Sequence, residues 1–274
     1  MPTLHHTLVT PKDVTPSRWM LFLHGILGTG GNWRTIARQW VEKRPRWGAV
    51  LVDLRMHGHS QGFAPPHTLA SCAADLIALE AHVPGAIEGV LGHSFGGKVA
   101  LEYLARKGGD LELALVLDSC PGARPDHRGS ELTMGTLRLL ERMPRELARR
   151  EDFVAWLENE GVMRDMAQWL AMNVKRTPQG TFVYGVDLRA IHALLDDYFA
   201  RDLWRPIEAP PGRARVELVV GGASPVLDEA DRRRAARAAE RNPHRVGVEI
   251  VPGAGHWVHV DAPRAVLEAI VRLT

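Results

Sequence analysis

No stretch of the sequence stays apolar and uncharged over the roughly 20 residues a membrane-spanning helix needs, so stable membrane insertion by that route is excluded. Cysteine is almost missing. Only Cys72 and Cys120 occur, with no CxxC spacing and no metal-ligand set around either. A disulfide framework and a cysteine zinc site are thereby excluded, and two buried free thiols are expected. A basic block is missing too: 34 Lys and Arg face 32 Asp and Glu, the formal charge is +2, and the arginines are interleaved with acids. Nucleic acid is not an expected partner. The opening residues Met1-Pro2-Thr3-Leu4-His5-His6 have neither a basic start nor the apolar core of a secretory signal, so a cytoplasmic location is the expectation.

What is present suits one large α/β domain, since 274 residues with 45% hydrophobic and 24% charged content match an ordinary globular composition. Short apolar runs alternate with segments of helical period. Strands are expected over 4–10, 19–24, 48–53, 87–93, 113–118, 216–220 and 246–251; helices over 32–43, 68–82, 97–107, 229–241 and 262–273. Asn32 is the expected cap of the first helix, and Pro84-Gly85 closes the second. This order predicts a mostly parallel sheet with helices on both faces. The alternation stops between Pro121 and Pro206, where helical stretches at 130–142, 145–160 and 163–174 follow one another. Pro and Gly clusters bound this region, so a core of 1–121 and 206–274 carrying an inserted helical lid, 122–205, is expected. Its Arg-rich face over 137–150 reads as a solvated helix surface.

The most informative motif is Gly92-His93-Ser94-Phe95-Gly96, between an apolar run and a helical one. A serine there sits on a sharp strand-to-helix turn with its hydroxyl exposed, which needs neighbours without a Cβ. The 26 Gly and seven Ser of the chain would supply roughly 0.06 such patterns by chance, so the surrounding context carries much of the weight. A serine hydroxyl needs a base to take its proton. His256, on a Gly-rich loop after the last strand, is the candidate. For His5, His6, His67, His82, His127, His192 and His244 a surface or packing role is the default, and His259 is expected to be structural.

Four motifs in order resemble those of the α/β-hydrolase superfamily over nearly the whole chain. They are His24-Gly25-Ile26-Leu27-Gly28, Asp53-Leu54-Arg55-Met56-His57-Gly58-His59-Ser60, the segment from Gly92 to Gly96, and Gly253-Ala254-Gly255-His256-Trp257. Together with Gly97-Lys98 and Gly222-Ala223-Ser224-Pro225-Val226, they are most similar to YbfF-type esterases and their ABHD11-like relatives. The resemblance implies an α/β-hydrolase fold and a nucleophile–base–acid set. It also implies an oxyanion hole from the backbone amides of Phe95 and Ile26, with Leu27 as the alternative donor. The segment from Asp53 to Ser60 then shapes loops. His93 and Trp257 are the candidates for lining the substrate entrance, although His93 also suits packing beneath the serine turn.

The acid departs from the commoner family pattern. Where G-x-x-D is usual, Gly221-Gly222-Ala223-Ser224 has serine. Asp118, ending the strand 113–118, and Asp228, before the helix 229–241, stand as the two alternatives. Asp118 has the favoured position because strand ends face the crevice, and the resemblance to YbfF-like esterases points the same way. The function implied is hydrolysis of an ester, or of a thioester, by an acyl-enzyme route with no cofactor and no metal. Carbon–carbon bond hydrolysis, acyl transfer and a slow-turnover receptor stay as alternatives on the same scaffold. Substrate identity and oligomeric state are not legible.

Overall fold

Strands that are apolar on both sides require cover on both sides. The computed structural model, which describes residues 2–274, provides it. Residue 1 of the expected core lies outside the described residues. The strands are β1 (His6–Val9), β2 (Arg18–Leu23), β3 (Trp47–Val52), β4 (Ala86–His93), β5 (Leu113–Leu117), β6 (Val174–Arg176), β7 (Phe182–Tyr184), β8 (Arg215–Gly221) and β9 (Val246–Val251). The helices are α1 (Arg34–Lys43), α2 (Leu69–Leu79), α3 (Phe95–Lys107), α4 (Glu131–Arg142), α5 (Arg150–Asn159), α6 (Arg164–Leu170), α7 (Leu188–Ala200), α8 (Arg205–Glu208), α9 (Glu229–Arg241), α10 (Val258–Asp261) and α11 (Pro263–Leu273).

Seven strands form one sheet in the order β1-β3-β2-β4-β5-β8-β9. Only β1 runs antiparallel, against β3. Successive residues of a strand point to opposite faces, and in β2 Met20 and Phe22 join one buried cluster while Leu21 and Leu23 join the other. Helices α1 and α11 cover the first face; α2, α3, α7 and α9 contribute to the second. Removing each such side chain from water contributes about 1.5–3 kcal/mol, which is why these strands read as nearly continuous apolar runs. The parallel register pairs His93 with Leu117 and Leu117 with Val219. The carboxyl ends of β4, β5 and β8 therefore meet at one edge, where a crevice forms in sheets of this kind. Cys72 and Cys120 are both free and buried.

Two expectations need correction. Asn32 does not cap α1; it lies inside a 3-10 turn, Gly30–Trp33, and its Oδ1 accepts from the Thr29 amide at 2.8 Å. The extra turn begins after Thr29, and Trp33 stands at the N-cap position of α1. The region 122–205 is not wholly helical either. Its helices begin and end inside the expected bounds, with α5 starting at Arg150 and α6 ending at Leu170, and it contains the antiparallel hairpin β6–β7. Strands of three residues are too short to show a period of two, and the Pro178-Gln179-Gly180 turn was their only sequence trace. Neither strand joins the seven-stranded sheet.

One buried cation fastens this region at both ends. Lys98, on α3 and fully shielded, donates from Nζ to the carbonyls of Gly122 at 2.8 Å and Tyr198 at 2.6 Å, and sits 4.4 Å from the Tyr198 ring centroid. Burial lowers its pKa to about 8. Replacing Lys98 by Met leaves two carbonyls without their charged donor. We expect Lys98→Met to lose about 2–4 kcal/mol of stability in denaturant titrations and to be cleaved faster by protease within 122–205. Unchanged stability and an unchanged cleavage pattern would refute the fastening role.

Candidate active site

Strand β4 ends at His93 and α3 begins at Phe95, leaving Ser94 alone in the turn with φ 53° and ψ −120°. Such a conformation is costly for a residue with a Cβ and persists only where the surroundings impose it. They do so through closeness. A Cβ on Gly92 would collide with the carbonyl of Gly96, and one on Gly96 would come 2.5 Å from the carbonyl of His24. The Ser94 amide donates to Leu117 at 3.0 Å, which ties the turn to β5.

Residues far apart in the chain converge on this serine. His256 Nε2 lies 3.1 Å from Ser94 Oγ, and His256 Nδ1 lies 2.7 Å from Asp118 Oδ2. A carboxylate only accepts, so Nδ1 carries the proton and Nε2 is left to accept from the serine hydroxyl. Asp118 is wholly buried, with φ 43° at the end of β5. Its Oδ1 accepts from the Gly221 amide at 2.9 Å, and its Oδ2 also accepts from Ser224 Oγ at 2.5 Å. Ser224 occupies the site where the usual pattern has aspartate, and it orients a carboxylate arriving from another strand. Arg232 secures the same loop by donating to the carbonyls of Gly221 and Ser224, each at 3.0 Å. Asp228 is elsewhere employed: it caps α9 by accepting from the Asp231 amide at 2.9 Å and faces Arg124 and Arg128, each at 3.5 Å.

Beside the serine, Gly25 to Gly28 make a tight turn closed by the Gly28 amide on the Gly25 carbonyl at 3.0 Å, with Leu27 at φ 62°. His24 Nδ1 donates to the same carbonyl at 2.7 Å while its Nε2 accepts from the Leu54 amide at 3.0 Å. Both ring nitrogens are thus assigned to a neutral tautomer. Because C=O and N–H of one trans peptide point in opposite directions, anchoring the Gly25 carbonyl aims the Ile26 amide the other way. The amides of Ile26, Leu27 and Phe95 donate to no group among the described residues.

Sequence reading missed three contributors here. Asn173, buried, donates from Nδ2 to the Leu27 carbonyl at 2.9 Å, joining the region 122–205 to this turn. Trp169 lies 6.3 Å from Trp257 between ring centroids, and Trp257 lies 6.4 Å from His256. Ser224 is the third. Of the two residues expected at the entrance, Trp257 is partly buried beside His256, whereas His93 is only 3% exposed and donates from Nε2 to the His256 carbonyl at 2.8 Å. His93 therefore supports the histidine loop from below. The Phe95 side chain is buried between His57 and Tyr198, so only its backbone faces the turn.

The chain matches the model of the alpha/beta hydrolase family over residues 20–269. It is 27% identical over 267 residues to a Danio rerio protein named sn-1-specific diacylglycerol lipase ABHD11, covering 94% of this chain and 78% of that one. It is 27% identical to the esterase YbfF of Escherichia coli, covering 92% of this chain and 91% of that one. Among solved structures, a marine microorganism esterase superposes with a TM-score of 0.82 at 20% identity over the full length of both, a likeness of fold.

Around the site the other histidines are kept neutral. Burial lowers the pKa of His24 and His93, takes His57 to about 3 and His259 to about 4. An unfolded histidine titrates near 6.5. Below that pH the unfolded chain binds protons that the folded chain refuses, so stability falls as pH drops from about 6.5 toward 3. For His57 alone the loss at pH 5 is about 2 kcal/mol. Guanidinium unfolding at pH 7 and pH 5 should show a clearly lower midpoint at pH 5; equal midpoints would contradict this.

Proposed function

The chain belongs to the α/β-hydrolase family, and we propose that it is a carboxylesterase-like serine hydrolase acting on esters of small to medium size through an acyl-enzyme on Ser94. The observation that carries this reading is the relay of 3.1 Å and 2.7 Å from Ser94 through His256 to Asp118. Ser94 Oγ attacks the ester carbonyl carbon while its proton passes to His256 Nε2. Asp118 stabilises the imidazolium that results. The negative oxygen of the tetrahedral intermediate is received by the amides of Phe95 and Ile26, or of Leu27 in place of Ile26. His256 then protonates the leaving oxygen and the C–O bond breaks. Water repeats the sequence on the acyl-enzyme, giving its proton to Nε2, and Ser94 leaves with a proton returned.

A thioester is open to the same steps, with sulfur as the leaving atom. The region 122–205 serves as a lid in this reading, because Trp169 and Asn173 bring it against Trp257 and the oxyanion turn. The name of the Danio rerio relative makes acylglycerols a substrate class to try first.

Two experiments test the assignment. Ser94→Ala should abolish labelling by a fluorophosphonate and lower p-nitrophenyl ester turnover by about 10⁴-fold or more; labelling that persists would remove Ser94 from the mechanism. Asp118→Asn should lower turnover by about 10⁴-fold, while Asp228→Asn should stay within about tenfold of the wild type. The reverse ranking would transfer the acid role to Asp228.

A further inference from the structure

We propose that His5, Asp53 and His59 form a binding site for one first-row transition-metal ion, separate from the ester chemistry. The Nδ1 atoms of His5 and His59 stand 3.1 Å and 3.3 Å from a single carboxylate oxygen, Asp53 Oδ2, and all three atoms lie within 4.8 Å of one another. Two ligands each about 2.1 Å from one ion are separated by about 3.0 Å at a right angle and about 3.4 Å at the tetrahedral angle. Both nitrogen–oxygen separations fall in that interval. One divalent ion can therefore take the place of the two hydrogen-bonding protons once both imidazoles, their centroids 4.6 Å apart and their planes tilted by 44°, adopt the Nε2–H tautomer and turn their Nδ1 lone pairs from the carboxylate oxygen toward the ion.

The donor atoms are held in place by the backbone. The His5 amide donates to Ser60 Oγ at 2.8 Å, and that hydroxyl donates to the Asp53 carbonyl at 2.7 Å. The Asp53 amide donates to the His5 carbonyl at 2.9 Å, and the His59 amide donates to Asp53 Oδ2 at 2.9 Å. Asp53 is 4% exposed, and its Oδ1 accepts from the Gly30 amide at 2.8 Å, so the carboxylate has little freedom to turn away. Three segments of the chain are thus cross-tied before any ion arrives, which removes much of the ordering cost of binding. The two imidazoles are 46% and 75% exposed. An ion here would keep water on its outer positions and exchange with solvent. Two imidazoles and one carboxylate suit Zn²⁺, Ni²⁺, Co²⁺ or Cu²⁺ and disfavour Mg²⁺ and Ca²⁺.

The test uses untagged full-length protein with Ser94 capped by a fluorophosphonate, and Zn²⁺ as the probe, in isothermal titration. The expected result is one saturable equivalent for the wild type and none with Mg²⁺. His5→Ala and His59→Ala should each weaken Zn²⁺ binding at least about tenfold, the loss that changes merely around a metal ligand can cause. The double variant should lose that equivalent together with the rise in melting temperature that Zn²⁺ gives the wild type. Both side chains are exposed, so the variants should fold. A wild type with no saturable equivalent, or a double variant that binds Zn²⁺ as tightly as the wild type, would overturn the proposal.

Discussion

Asp118 is a carboxylate taken entirely out of water, and such a charge survives only if every oxygen is answered. Leaving it unpaired would cost several kcal/mol. The answer comes from three places: the Gly221 amide at the end of β8, the Ser224 hydroxyl just beyond, and His256 from the loop after β9. None of these groups could reach it unless β5, β8 and β9 lay side by side and parallel with their ends level. Sheet order and the position of the imidazole are thus parts of one electrostatic requirement. The strained turn at Ser94 depends on the same neighbour, since its amide is held by the last residue of β5.

Much of this was legible in the sequence because the signals were local. The inner strands of the sheet are apolar on both faces and announce themselves as short runs; the Gly92 to Gly96 turn and the Gly-rich loop before His256 are local patterns too. Contacts between distant segments were not legible. That Ser224 bonds a carboxylate 106 residues away, or that Asn173 reaches Leu27, depends on how loops pack. Substituting serine in the usual aspartate site looked like a loss. In the fold it is a relocation, with the charge moved to the neighbouring strand and a hydroxyl left behind to orient it. Asn32 failed as a cap for a similar reason, as an extra 3-10 turn shifted the helix start by a few residues.

The histidines divide by surroundings rather than by sequence. His24, His57, His93 and His259 are desolvated and held as neutral hydrogen-bonding or packing rings, whereas His256 sits partly open beside a carboxylate. Of these five rings, His256 is the one hydrogen-bonded to a carboxylate. His93 fixes the His256 backbone from beneath.

The Asn173 side chain meets the turn at the Leu27 carbonyl, in the same peptide unit as the Gly28 amide that closes the turn. Any outward swing of the region 122–205 takes that donor with it. In the lid reading proposed for this region, admission and alignment are mechanically the same coordinate: the turn is fully braced only when the cover is seated. In that reading a guest too bulky to let the cover return would be held yet poorly converted, and size discrimination would be a matter of turnover more than of affinity.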